Sequence, residues 1–151
     1  MQPFRFLVHL LASVNALMLA FPARATLGEA FLPEAAKHAI GGVHLSSQPT
    51  YTISEYTLAS GTLVKEFIAP NNKVFAVVWR GPSKPNLSQL FGQYYPRYMA
   101  AVTNQSRPRS RHFLLKDPDL VIRAGGRMGS FSGVAFLPSE MPAGVTESNL
   151  R

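Results

Sequence analysis

The sequence predicts an α+β domain in which an antiparallel sheet of about five or six strands carries one kinked amphipathic helix packed on one face. Short runs of β-branched and aromatic residues recur between turn signals, and the stretch 87–102 repeats apolar residues at helical spacing. A length of 151 residues with 46% apolar residues suits a single core. The chain has no cysteine, which excludes disulfides, thiolate metal sites and cysteine nucleophiles.

The first 25 residues have the layout of a secretory signal peptide. Arg5 precedes an apolar run over residues 6–21, and the small residues Ala23 and Ala25 stand at the −3 and −1 positions that signal peptidase requires. The run is interrupted by Asn15 and is shorter than the roughly 20 residues of a spanning helix. We therefore expect cleavage after Ala25, export to the periplasm or the medium, and no transmembrane segment after cleavage.

The next segment, residues 26–50, is rich in Ala, Gly, Pro and Ser and contains several turn signals. It is expected to be a flexible leader arm, with folded structure beginning at Tyr51. A single α+β domain would then cover residues 51–145. Residues 146–151 would form a C-terminal tail.

Strand-like stretches follow one another between Gly, Pro and Asn turn signals. They cover residues 51–58, 62–69, 74–80, 112–115, 120–124 and 127–137. The first two are joined by a loop ending in Gly61, and a three-residue hairpin loop of this kind sets Glu55 opposite Lys65. A two-residue loop would instead oppose Glu55 and Glu66, whose like charges repel.

The third stretch is apolar on both faces as far as Arg80, which predicts a place in the middle of the sheet. When the register of the first hairpin is extended to the third stretch, the apolar side chains of the three strands collect on one face of the sheet. The predicted core face holds Tyr56, Leu58, Val64, Ile68, Phe75, Val77 and Trp79.

The helix is predicted to follow Pro85. Asn86, with Gln89 three residues later, resembles a helix N-cap. Because Pro96 removes a hydrogen bond of the helix, a kink or break is expected near residues 93–95. One apolar stripe then faces the sheet, formed by Leu87, Leu90, Phe91, Tyr94, Tyr98, Met99 and Val102.

Several sequence blocks together carry a family resemblance. They are LG at 27–28, YTISE at 51–55, ASGT at 59–62, VFAVVW at 74–79, GP at 81–82, SG at 132–133 and PAGVT at 142–146. On these blocks the chain resembles the exported bacterial proteins grouped as domain of unknown function 2844. The resemblance implies an exported protein of a Gram-negative bacterium, and because the family has no assigned activity it implies no catalytic residue.

A basic surface is the main functional prediction. No acidic residue occurs between Glu66 and Asp117, although Lys and Arg are frequent there. The expected partner is an anionic envelope component or another exported protein, and nucleic acid is not expected outside the cytoplasm. A solvated loop that only keeps the protein soluble would explain the same charges. The candidate anion-binding residues are Arg107, Arg109, Arg111, Arg97 and Lys84.

The alternative function is a small-ligand carrier or an enzyme with an aromatic pocket between helix and sheet. Trp79, Tyr94 and Tyr98 would line that pocket, although such clusters are more often plain core. Asp117 and Asp119 flank a proline and are expected to shape a turn. The histidines are scattered and no nucleophile motif occurs, so we predict no metal, no cofactor and no catalytic residue, and favour a non-enzymatic protein.

Overall fold

The structure is a computed structural model that describes residues 26–32, 39–104 and 112–151. Within these ranges seven antiparallel strands form one sheet, in the spatial order β1-β2-β3-β4-β7-β6-β5. The strands are β1 (Ala39–Ser47), β2 (Thr52–Leu58), β3 (Leu63–Ile68), β4 (Val74–Gly81), β5 (His112–Lys116), β6 (Val121–Arg127) and β7 (Ser130–Phe136). The α+β class is confirmed, and the sheet has more strands than the five or six predicted.

The helical region of 18 residues lies between β4 and β5. It consists of α1 (Leu87–Phe91), a 3-10 turn at Gly92–Tyr94 and α2 (Tyr95–Asn104). The predicted kink is confirmed. Pro96 lies in the first turn of α2, where its missing N–H has no partner within the helix to lose. The Asn86 side chain caps α1 by accepting a hydrogen bond from the Gln89 N–H, also as predicted.

The β2–β3 hairpin has the predicted register. Glu55 lies opposite Lys65, and their side chains form an ion pair of 2.9 Å. The three-residue loop ends at Gly61, whose φ of 78° lies in the left-handed region that glycine adopts without strain. The register therefore follows from loop chemistry and charge pairing.

Folded structure begins well before Tyr51, so the predicted start is wrong. β1 pairs along β2, and Leu27 is fully buried. The Gly28 N–H donates to the Val74 carbonyl over 2.8 Å. The sequence conceals β1 because most of its side chains are exposed at the sheet edge, where backbone pairing creates the strand without an alternating apolar pattern. Residues 33–38, part of the predicted arm, lie outside the described ranges.

The first core lies between the helix and the sheet and is centred on Trp79, which is 2% exposed. Trp79 pairs with Gly133, and a Cβ at Gly133 would overlap the indole. The Phe91 ring packs on the indole at 5.7 Å between centroids, and Tyr98 packs edge-on against Phe91 at 5.3 Å. The helix is thus held to the sheet by a stack of aromatic rings.

A bulge places Phe75 on the opposite face from the one predicted. Phe67 pairs with Ala76 and Ile68 with Val74, which leaves Phe75 unpaired between them. Because a bulge inserts one residue, it reverses the alternation of side chains between the faces. Phe75 therefore joins a second core on the face opposite the helix, where ordinary pairing already places Phe67 and Phe136. That second core contains Phe67, Ala69, Phe75, Ala76, Val121, Phe136 and Leu150.

The C-terminal segment, residues 138–151, covers this second core. Met141 and Val145 pack against it, and Leu150 is buried within it. Glu147–Asn149 forms a short 3-10 turn capped by Thr146. The predicted tail at 146–151 is therefore part of the folded domain, because burying the apolar side chains of this second face stabilises the fold.

Replacing Trp79 by Ala removes the centre of the first core and is expected to lower the free energy of unfolding by about 3–5 kcal/mol. Urea unfolding followed by circular dichroism measures this. Leu45→Ala is the control, because Leu45 is 53% exposed on the edge strand and its truncation should cost less than about 1 kcal/mol. Equal losses in the two variants would show that the indole is not packed as described.

Candidate functional site

The face of the sheet opposite the helix is covered only in part. The C-terminal segment lies over the second core, and beside it an open groove of about 1110 Å³ crosses β3, β4, β7, β6 and β5. We call this the cationic groove. Its lining side chains include Leu63, Lys65, Val78, Arg80, His112, Leu114, Arg123, Arg127, Ser130, Ser132, Val134, Leu150 and Arg151.

Strand register explains why these side chains meet. Arg80 pairs with Ser132, and Ser132 pairs with Gly125. Residues two positions apart on a strand have side chains on the same face of the sheet. The row of paired residues two positions away therefore lies on the same face as Arg80 and Ser132. That row runs from Val78 through Val134, Arg123 and Leu114. The groove is therefore built from every second residue of strands that lie far apart in the sequence.

Two of the groove cations are neutralised within the fold. Lys65 pairs with Glu55 at 2.9 Å, and Arg123 pairs with Glu147 at 3.0 Å. In the described part of the chain, Arg80 and Arg127 have no carboxylate partner. Their positive charge is thus available to a ligand.

Small residues form the floor between these two arginines. Ser130 pairs with Arg127, and Ser132 lies two residues further along β7 beside Arg80. Because Gly125 has no side chain and the two serine side chains are short, the space between the arginines is open. The serine hydroxyl groups can donate hydrogen bonds to a ligand there. This part of the groove can accommodate an oxyanion between two guanidinium groups.

The predicted anion-binding residues fall into different places. Arg107, Arg109 and Arg111 lie outside the described residues, and Arg111 directly precedes the groove residue His112 in the sequence. Lys84 is exposed, and its ammonium nitrogen lies 5.4 Å from the centre of the Phe131 ring. The structure therefore does not bring Lys84 into the cationic groove.

Arg97 is engaged by the two carboxylates that were expected to shape a turn. Its guanidinium donates to Asp119 at 2.7 and 2.9 Å and to Asp117 at 2.6 Å. These hydrogen bonds, first to Asp119 and then to Asp117, raise the pKa of Arg97, and the same contact lowers the pKa of Asp119. The cluster fastens α2 to the β5–β6 turn, and it neutralises the charge of Arg97.

The three aromatic residues of the predicted pocket do not line one groove. Trp79 and Tyr98 are part of the first core and border a cavity of about 130 Å³. Tyr94 also packs against the first core, but it does not border this cavity, and its ring lies against Gly28. Ligand pockets commonly have volumes of roughly 300–1,000 Å³, so this cavity is small for an organic ligand.

Sequence analysis overlooked Arg123 and Arg127 as site residues and counted Arg80 only as part of the basic interval. The sequence did indicate that Arg123 and Arg127 share a face, because Arg123, Gly125 and Arg127 occupy every second position of β6. This spacing could not identify the groove, because the sequence does not show which strands lie beside β6.

The comparison with protein families settles where the chain belongs. A family model described as "Protein of unknown function (DUF2844)" matches residues 23–150. The chain belongs to the DUF2844 family. This confirms the resemblance drawn from the sequence blocks. No curated protein and no solved structure matches the chain.

The DUF2844 chain contains no group of His, Asp or Glu arranged to hold a metal ion within the described ranges. None of the helices described there has the length and apolar character needed to cross a bilayer.

A buried carboxyl group in the first core of this DUF2844 protein was also missed. Glu66 is 1% exposed, and the Tyr56 hydroxyl donates to its Oε1 over 2.8 Å. Within the described residues, its Oε2 and the Oγ of the cross-strand neighbour Ser54 have no partner. Burial raises the pKa of Glu66 to about 7, and the hydrogen bond from Tyr56 opposes this shift. The hairpin register could have predicted this burial, because Val64, Glu66 and Ile68 are alternate residues of β3 and therefore face the same core.

The raised pKa makes stability depend on pH in a defined direction. The folded DUF2844 protein holds a proton on Glu66 over the range from about pH 4.5 to 7 in which the unfolded chain has lost it. The contribution of Glu66 to stability is therefore greatest below pH 4.5 and is lost as the pH rises through 7.

Replacing Glu66 by Gln removes this titration. The free energy of unfolding of Glu66→Gln, relative to the wild type, should rise by about 3 kcal/mol between pH 4 and pH 8. Urea unfolding at intervals of pH measures the difference. Glu29→Gln removes an exposed carboxylate and should follow the wild type. Parallel pH curves for Glu66→Gln and wild type would contradict the buried, protonated carboxyl.

Proposed function

We propose that this DUF2844 protein is an exported, non-enzymatic binding protein that receives an anionic partner in the cationic groove. The partner is an anionic component of the cell envelope or an acidic surface of another exported protein. The proposal is carried by one observation, the two groove arginines, Arg80 and Arg127, that have no carboxylate partner in the described part of the chain.

Electrostatics favours an anion at this place. Guanidinium groups bind carboxylates and phosphates through paired hydrogen bonds, which are stronger than bonds between neutral groups. A groove with a low-dielectric wall concentrates the field of its charges. The backbones of Arg80 and Arg127 are already ordered in strands, so a ligand that binds them has to order only their side chains.

The composition of the groove favours binding over acid–base chemistry. Its lining is mainly cationic, small or apolar. No Asp or Glu side chain of the described residues lines it, and Glu55 and Glu147 form ion pairs with its cations Lys65 and Arg123. The sequence adds three further arginines, at positions 107, 109 and 111, directly before the groove strand β5.

Export is proposed from the signal-like first 25 residues, which lie outside the described ranges. The packing of the residues that follow is compatible with it. Thr26 and Leu27 are buried, and the Leu27 N–H donates to the Leu90 carbonyl over 3.0 Å.

The binding proposal is tested by two double variants that remove the same charge. Arg80→Ser with Arg127→Ser removes the two strand arginines of the groove that have no carboxylate partner, whereas Lys73→Ser with Lys84→Ser removes two exposed cations outside it. On a sulfated polysaccharide resin, the groove variant should elute at clearly lower salt. Its affinity for the polysaccharide should fall at least about tenfold, since two charge-assisted hydrogen bonds are lost.

The lysine variant should lose only the small retention expected from a lower net charge. Elution of the two double variants at the same salt concentration would mean that the groove has no special role. Melting temperatures near the wild-type value in both variants confirm that folding is not the cause.

The export proposal is tested by recovering the protein from fractionated native cells and measuring its mass and N-terminal sequence. The expected chain begins at Thr26 and lies in the periplasm or the medium. Ala25→Lys should block processing, because the peptidase site accepts only small side chains. A wild-type chain that still begins at Met1 in the soluble cytosol would overturn the proposal.

A further inference from the structure

The cationic groove changes from polar to apolar along the strands. On β7 the side chains that face it are Ser130 and Ser132, which are exposed, then Val134, which is half-buried, and then Phe136 in the second core. Polar and apolar parts of the groove therefore lie side by side in a fixed order, with the polar part nearest the β6–β7 turn.

The apolar part forms a stripe across the strands. Val78, Val134 and Leu114 lie in one row from β4 to β5, which spans three strand spacings of about 4.8 Å, or about 14 Å. Val78 and Val134 pack against the second core on one side and line the groove on the other. Leu150 of the C-terminal segment also lines the groove and adds to its apolar surface. The stripe is thus an extension of the core that remains open to solvent.

Two strand arginines that have no carboxylate partner among the described residues lie to one side of this stripe. Arg80 is two residues beyond Val78 on β4, and Arg127 is four residues beyond Arg123 on β6. Within the stripe the cation Arg123 is held by Glu147. Arg80 and Arg127 thus lie beside the two serines at the polar part of the groove, while Val78 and Val134 form its apolar part. The pattern fits a ligand with one charged end and one apolar end.

We propose that the ligand of the cationic groove is an amphipathic anion, a single alkyl or acyl chain with an anionic headgroup. This deepens the proposed function and rests on it. The chain lies along Val78, Val134 and Leu114, and the headgroup binds between Arg80 and Arg127 over the two serines. The shared chemistry covers fatty carboxylates and acyl phosphates, including lipid fragments of the envelope.

Chain length separates this proposal from simple anion binding. Hexyl, octyl and decyl phosphate, each below its micelle concentration, are titrated into the full mature chain by calorimetry, together with inorganic phosphate. Because each buried methylene adds to the hydrophobic term, affinity should rise about two- to fourfold per methylene. The alkyl trimethylammonium compound of the same length should bind far more weakly, since its headgroup is repelled.

A matched pair of variants tests the stripe itself. Leu114 is 54% exposed and lines the groove on edge strand β5, whereas Leu45 is 53% exposed on edge strand β1 and lies outside the groove. Leu114→Ser should weaken decyl phosphate about threefold or more and leave hexyl phosphate less affected. Leu45→Ser should bind both like the wild type.

The outcomes separate the two proposals. If affinity does not depend on chain length, yet falls in the Arg80→Ser, Arg127→Ser variant, the amphipathic ligand is wrong and the anion-binding function stands. If no phosphate compound and no sulfated polysaccharide binds through these arginines, both proposals fail. Chain-length dependence that is the same in Leu114→Ser and wild type would place the chain elsewhere and also overturn the inference.

Discussion

The packing of the Trp79 indole against Gly133 couples the helix to the central strand pair of the sheet. β4 and β7 are remote in sequence, yet they pair at the centre of the sheet and join β1–β4 to β5–β7. Gly133 leaves the space that the indole fills, and Phe91 packs on the outer side of the indole. Any side chain at position 133 would displace the ring and, with it, the helix. The helix and both halves of the sheet therefore meet at one aromatic side chain.

The same strand pairing creates the surface on the other face. Alternation directs Trp79 into the first core and its neighbours Val78 and Arg80 to the opposite side. The register that sets Trp79 on Gly133 also sets Arg80 beside Ser132. A shift of one residue would exchange core and groove side chains, so the stability of the first core protects the geometry of the cationic groove.

Ion pairing distributes the net positive charge unevenly over the fold. The carboxylates fasten particular elements: Glu55 joins β2 to β3, Glu147 joins the C-terminal segment to β6, and Asp117 with Asp119 holds α2 through Arg97. Glu66 instead lies in the first core, where it prefers to be neutral. The unpaired arginines of the described strands remain in the cationic groove, which concentrates the positive field there.

The α+β class, the β2–β3 register and the capped, kinked helix could be predicted from local sequence, because loop chemistry, helical periodicity and proline act over a few residues. The family could be predicted from short sequence blocks, and the family match confirms it. Three features could not be predicted in this way: β1 belongs to the sheet, Phe75 lies in a second core, and Arg80 and Arg127 share a groove. Edge pairing, a bulge and the β4–β7 junction decide these features. Each depends on contacts between residues far apart in the chain, which local patterns of side chains do not record.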